Sequence, residues 1–253
     1  MIDKIPYLLN IKKLETYIEK YSVNFRNNKP FSHVIIDDFL EEEHINFLSD
    51  NFPSKNHQIW LDWKKRSPNQ YGKLGPGNSE KFHLLNEHLQ LALIEFNSSK
   101  FISFLEKMTS IERLIPDPYF TGGGFHQILK GGFLDVHTDF NYYKRLNLFR
   151  RINVLIYINE KWLPEYNGEL ELWSGNKQTG RCELKIEPIK NRCVIFNTNK
   201  SSFHGHPSEW NAPDEITRRS LALYYYTSEK EDGQHYDELT DFQNIITKQL
   251  PKT

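Results

Sequence analysis

The tripeptide His137-Thr138-Asp139 follows the run Phe133–Val136. In an extended backbone, residues two apart project to the same side. An imidazole and a carboxylate at this spacing can therefore grip one metal ion. A second imidazole has to come from elsewhere, and Ser202-Phe203-His204-Gly205-His206 offers two of equal strand parity. Two His and one carboxylate on one face of an ion leave the opposite face open. Non-haem Fe(II) sites need that, because co-substrate and O2 bind the same metal. Zinc accepts the same donors, but structural zinc sites are closed. A third element is Arg218-Arg219-Ser220, which opens the run Leu221–Tyr226. A guanidinium can hold a carboxylate by two parallel hydrogen bonds. Arg218 and Ser220 share a side by parity, and Arg219 faces away.

Short strands must carry these groups. From about Phe120 the chain breaks into β-rich runs: Phe125–Leu129, Phe133–His137, Ile152–Ile158, Glu169–Trp173, Cys182–Ile186, Cys193–Asn197 and Ser220–Thr227. Gly131-Gly132, Asn167-Gly168, Gly175-Asn176 and Asn191-Arg192 punctuate them. Such spacing predicts a sandwich or barrel. Before residue 110 the texture is mostly helical. Ile11, Leu14, Ile18 and Tyr21 form one stripe, and Ile45, Leu48 and Phe52 a second. Phe82, Leu85, Leu89, Leu93 and Phe96 give a third, then Phe101, Ile102, Leu105 and Met108 a fourth. Asp38 is read as the cap of the second helix, and His33–Ile36 as a strand. Ser67–Ser79 is read as a loop. The Gly122–Gly124 run lacks the Lys-Ser/Thr of a phosphate loop and reads as a turn or a tight rim.

Together the motifs resemble the Fe(II)/2-oxoglutarate-dependent oxygenase superfamily, in its prolyl-4-hydroxylase-like branch. The order His-x-Asp, distant His, Arg-x-Ser carries the likeness. So do His126-Gln127, Gly131–Leu134, Arg151–Asn159, Gly168–Trp173 and Asn191-Arg192. It runs closely over about 122–227, with looser similarity at Phe31–Leu40. It implies a mainly β fold with N-terminal helices: a double-stranded β-helix (jelly roll) with helices packed on one face. One oxygenase domain would span 1–253, with helical support over 1–119, the catalytic core over 120–228 and a peripheral tail over 229–253. His137, Asp139 and His204 would hold Fe(II). The relatives place Gly directly after the distal ligand, which selects His204 over His206. Arg218 would anchor 2-oxoglutarate with help from Ser220. O2 would be the other co-substrate, and ascorbate is a candidate reductant. The implied outcome is hydroxylation of a C–H bond in a small molecule, amino acid or peptidyl residue, releasing succinate and CO2.

Two departures qualify the likeness. Where many prolyl hydroxylases carry Tyr this chain has Ile128, so His126, Asn153 and Tyr157 become candidate co-substrate partners. Where those enzymes use Lys for the far carboxylate, it has Arg. Asp139 argues against a halogenase. The alternative is a non-catalytic, cupin-like jelly roll that binds metal or sugar, which would have no need of Arg218-x-Ser220.

Bulk properties bound the remainder. Of 253 residues 38% are apolar and 26% charged, enough for a packed core, and the net charge is −1. No global basic field indicates nucleic acid. Lys144, Arg145, Arg150 and Arg151 read as a solvated loop and strand end. Two cysteines do not make a disulfide framework and read as reduced core residues. No apolar run suits a leader or a membrane span, so the expectation is a cytoplasmic protein. Oligomeric state is not legible.

Overall fold

A computed structural model describes residues 7–62, 69–175, 179–230 and 239–242. Asn176 and most of the C-terminal tail, which figure in the sequence reading, lie outside the described residues.

Four α-helices precede the main strands. They are α1 (Ile11–Asn27), α2 (Glu42–Asp50), α3 (Glu87–Phe96) and α4 (Ser99–Thr109). Asn10, Asn86 and Ser98 accept backbone N–H groups at the starts of α1, α3 and α4, satisfying donors that have no partner within the helix. Asp38 does not cap α2. Its φ is 53° and the N-cap position belongs to Glu41, which makes no side-chain cap bond. Negative charge in the first turn, from Glu42 and Glu43, still favours that end.

Strands from both halves of the chain join a 13-stranded, curled antiparallel sheet. The early ones are β1 (His33–Ile36), β2 (Leu61–Asp62), β3 (Gln70–Gly75) and β4 (Ile115–Pro116). Then come β5 (Gly124–Thr138), β6 (Tyr142–Tyr143), β7 (Leu148–Tyr157), β8 (Leu170–Ser174) and β9 (Arg181–Ile186). The last are β10 (Cys193–Asn197), β11 (Phe203–His206), β12 (Arg218–Thr227) and β13 (Asp241–Phe242). The main path runs β1-β10-β7-β12-β5-β11-β8-β9. This is the jelly roll that the sequence implies, with the helices on its outer face.

Alternation along the strands separates the two faces. Leu221, Leu223 and Tyr225 of β12 face outward with Ile152, Val154 and Ile156 of β7. There they meet Leu14, Leu48, Leu89 and Phe101 from the helices in one buried cluster. The intervening residues Ser220, Ala222, Tyr224, Asn153 and Leu155 face a cavity inside the roll. Period two therefore divides each strand between stability and chemistry.

Three further sequence readings are revised. Phe125–Leu129 and Phe133–His137 are one strand, not two, bent at Gly131-Gly132. Gly131 has φ 75°, and a Cβ on Gly132 would lie 2.4 Å from Ile128 Cγ2, so the bend needs residues without side chains. Part of the expected Ser67–Ser79 loop is β3, which hydrogen-bonds to β5. Within the expected peripheral tail, Asp241 and Phe242 pair with Thr138 and His137. No helix among the described residues is long and apolar enough to cross a membrane.

Candidate active site

The bend in β5 is what assembles the site. Its first half pairs with β12, setting His126 opposite Ser220 and Ile128 opposite Arg218. Its second half pairs with β11, setting His137 opposite His204. One strand thus links the Arg-x-Ser pair to the two imidazoles. Gly205 permits the close approach: a Cβ there would lie 2.9 Å from the carbonyl oxygens of both Leu134 and Asp135.

His137, Asp139 and His204 each offer a ligand atom, and the three atoms lie within 4.8 Å of one another. Asp139 Oδ1 is 3.7 Å from His137 Nε2, and its Oδ2 is 3.4 Å from His204 Nε2. His137 Nδ1 lies 2.8 Å from the carbonyl of Asp135, and His204 Nδ1 lies 2.9 Å from that of Ser202. A carbonyl only accepts, so each Nδ1 carries a proton, which leaves each Nε2 as the ring atom free to ligate a metal. That tautomer is the one a metal requires. Burial pulls the His204 pKa down to about 4, outweighing the opposing pull of Asp139, so the ring is neutral near pH 7. For Asp139 burial acts upward, but Arg150, His204 and His137 prevail and hold the carboxyl well below its usual range. Two imidazole nitrogens and one carboxylate are a donor set for a borderline divalent ion such as Fe(II).

Arg150 corrects the reading of the basic run as solvated. It is 1% exposed, and its Nη2 is 3.2 Å from Asp139 Oδ2. Its guanidinium stacks on Tyr224 at 3.5 Å from the ring centroid. Arg145 stacks on Tyr119 at the same distance, and Arg151 bonds to Thr227. Asn153 joins the acid to the base. Its Nδ2 donates to Asp139 Oδ2 at 2.8 Å, and its Oδ1 accepts from Arg150 Nε at 2.9 Å. Asn153, a candidate co-substrate partner, lines the cavity and bonds Asp139 and Arg150 through the two ends of its amide. The signal for Arg150 was weak, because only the fold reveals that it points inward.

Arg218 is 5% exposed and lines a cavity of about 100 Å³ with Ser220, His126, His137, Asp139 and His204. Its Nε donates to Gly168 O at 2.6 Å and its Nη2 to Tyr157 Oη at 3.4 Å. Tyr157 and His126 flank Ser220 from the two adjacent strands. Burial, reinforced by Lys73 and Arg218, holds His126 well below its usual pKa and hence neutral. Arg219 points away, with its guanidinium 5.1 Å from the Phe52 ring centroid. His206 also reaches the cavity, behind a register shift after His204.

A wider cleft of about 510 Å³ opens from the metal-ligand side, lined by Gly122, Phe140, Arg150, Tyr224 and Phe242 among others. Gly122 forms part of the rim expected of the glycine run. Asp117 belongs to a turn, accepting N–H groups of Tyr119 and Thr121 at 2.8 Å. Phe242 packs on His137 at 5.4 Å between ring centroids. Sequence reasoning missed Phe242 and also Lys73, which lines both spaces.

Residues 123–226 match the family model of the 2OG-Fe(II) oxygenase superfamily. Several solved structures share the fold. A prolyl hydroxylase from Trichoplax adhaerens, in complex with a hypoxia inducible factor oxygen degradation domain peptide fragment, aligns with TM-score 0.54 at 18% identity. That alignment covers 85% of this chain and 91% of that one. SnoN, a non-heme alpha ketoglutarate dependent epimerase from nogalamycin biosynthesis, gives 0.55 at 11% identity, covering 84% of each chain. HygX from Streptomyces hygroscopicus, solved with nickel, 2-oxoglutarate and hygromycin B, gives 0.52 at 10% identity, covering 92% of this chain and 97% of that one. The family match falls on the strands that gather two imidazoles, a carboxylate and a buried arginine, and over that segment the chain is similar to the 2OG-Fe(II) oxygenase superfamily.

Proposed function

We propose that the protein is a hydroxylase of the prolyl-4-hydroxylase-like branch, acting on a C–H bond of a small molecule, an amino acid or a peptidyl residue. The observation that carries this reading is the pair of Nε2 atoms and the Asp139 carboxylate converging at the mouth of a cavity that holds a buried Arg218. Fe(II) bound there supplies oxidative chemistry, driven by conversion of 2-oxoglutarate and O2 to succinate and CO2. The chain's residues do the rest. His137, Asp139 and His204 hold the ion. Asn153 and Arg150 fix the carboxylate that binds it. Arg218 receives the distal carboxylate of 2-oxoglutarate, with Ser220 and Tyr157 as hydroxyl partners and neutral His126 as a further hydrogen-bonding group. The apolar walls, Leu134 and Phe196 among them, keep water from the reacting centre.

The substrate class follows from the breadth of the open cleft. Fold relatives include a hydroxylase solved with a peptide and an enzyme solved with hygromycin B. We place the enzyme in the cytoplasm as one catalytic unit, a reading supported by two free cysteines and by a core cluster shared between helices and strands. The test is anaerobic addition of Fe(II) and 2-oxoglutarate. A visible metal-to-ligand charge-transfer band is expected in the wild type and not in His137→Ala or Asp139→Ala. Full coupled turnover in either variant would overturn the assignment.

A further inference from the structure

Lys73 stands in β3 directly opposite Ile128 of β5, so the two side chains share a face of the sheet. Ile128 shares the cavity with His126, Arg218 and Ser220. Lys73 lines that cavity and also the wider cleft that leads to it, so it stands where the two meet. Among the described residues its ammonium has no hydrogen bond and no ion pair, while Asp139, the nearby carboxylate, is already engaged by Arg150 and Asn153. Burial depresses the Lys73 pKa to about 8; Asp139 opposes this, and the cations of Arg150 and Arg218 add to it. A half-buried cation left without a partner beside two other cations is costly unless an anion arrives.

We propose that Lys73 is a carboxylate-binding residue at the neck between the co-substrate cavity and the substrate cleft. This deepens, and rests on, the oxygenase reading above. The position opposite Ile128 suits the role, because the Ile128 side chain offers no hydrogen bond of its own to a ligand. Two carboxylates can reach a cation at the neck. One is the metal-side carboxylate of 2-oxoglutarate, since Arg218 takes the distal one. The other is an acid group on the substrate, entering through the wide cleft. Either would form a charge-assisted hydrogen bond with Lys73, and an amide or ester in its place would not.

The test uses the full chain labelled at lysine, with the Lys73 ε-methylene resonance assigned by its absence from Lys73→Met. Probes are 2-oxoglutarate, then N-acetyl amino acids as free acids and as amides in the presence of saturating 2-oxoglutarate. The Lys73 resonance is expected to move with a carboxylate and to stay still with every amide. If 2-oxoglutarate alone moves it, and anaerobic Fe(II) titrations of Lys73→Met show co-substrate affinity weakened by about tenfold or more, the carboxylate is the co-substrate's. If only the free acids move it, the carboxylate is the substrate's, and Lys73→Met loses the preference for acids in substrate-stimulated succinate release. Lys73→Arg restores part of either effect, which a merely structural lysine would not. A resonance indifferent to both 2-oxoglutarate and the free acids overturns the proposal. A wild-type protein without a charge-transfer band would instead overturn the oxygenase reading, and the iron-free resonance still decides the role of Lys73.

Discussion

Asn153 carries no charge and is buried, yet it links the acid and the base of the site. Groups that orient a metal-binding carboxylate typically contribute ten- to hundredfold in metal affinity or activity. Asn153→Ala is therefore expected to weaken Fe(II) binding by about ten- to hundredfold, measured by metal titration, while the far-ultraviolet circular dichroism stays that of the wild type. Lys73 gives a pH prediction at the same scale. Its folded pKa of about 8 lies below its ordinary value of 10.5. Between those pH values the unfolded chain holds a proton that the folded chain has released. Stability contributed by this group therefore rises with pH across that window and is lost as pH falls through about 8. Urea midpoints of wild type and Lys73→Met should converge towards pH 10.5 and diverge towards pH 7, with the variant the more stable at neutral pH. Parallel pH curves would show that Lys73 carries no such strain.

At the scale of the element, β5 does most of the assembly. It was legible as two strands, because Gly131-Gly132 carries the marks of a turn. The structure keeps the strand continuous through that pair and uses the bend to change partners, from β12 to β11. Gly205 plays the complementary part on β11. Gly205→Ala would press a methyl group on two carbonyl oxygens of β5, so the strands must separate by several tenths of an ångström. We expect a stability loss of about 1–3 kcal/mol, as for other overpacked sites. His204 would move with the strand, so Fe(II) affinity should fall as well. A variant with wild-type Tm and unchanged metal binding would show that β11 is free to shift. β3 was not legible at all. Its sequence, Gln70–Gly75, holds two glycines in six residues and lacks strand propensity. Pairing with β5 makes it a strand, and that pairing brings in Lys73.

Across the whole molecule, the two faces of the curled sheet hold separate assignments. The outer face buries Ile152, Val154 and Ile156 under the helices, and the inner face carries the chemistry. Ile156 is fully buried in that outer cluster. Ile156→Ala should lower stability by about 2–5 kcal/mol, read as a drop in Tm. Below the transition, the affinity for 2-oxoglutarate should hardly change. An outer-face truncation that instead raised the KM for 2-oxoglutarate severalfold without loss of Tm would show that the faces are not independent.

The sequence by itself determined the local features: the β-rich runs that become β7, β10 and β12, the His-x-Asp and Arg-x-Ser pairs, and the jelly roll they imply. Those depend on spacing along one strand, and strand geometry fixes them locally. Only the tertiary structure decided that Arg150 turns inward to Asp139, that Asn153 serves the carboxylate, and that Lys73 and Phe242 border the metal-ligand side chains. Each of these depends on contacts between segments far apart in the chain. Whether a cation faces solvent or a buried acid is settled by which strand lies beside it, and no local pattern encodes that neighbour.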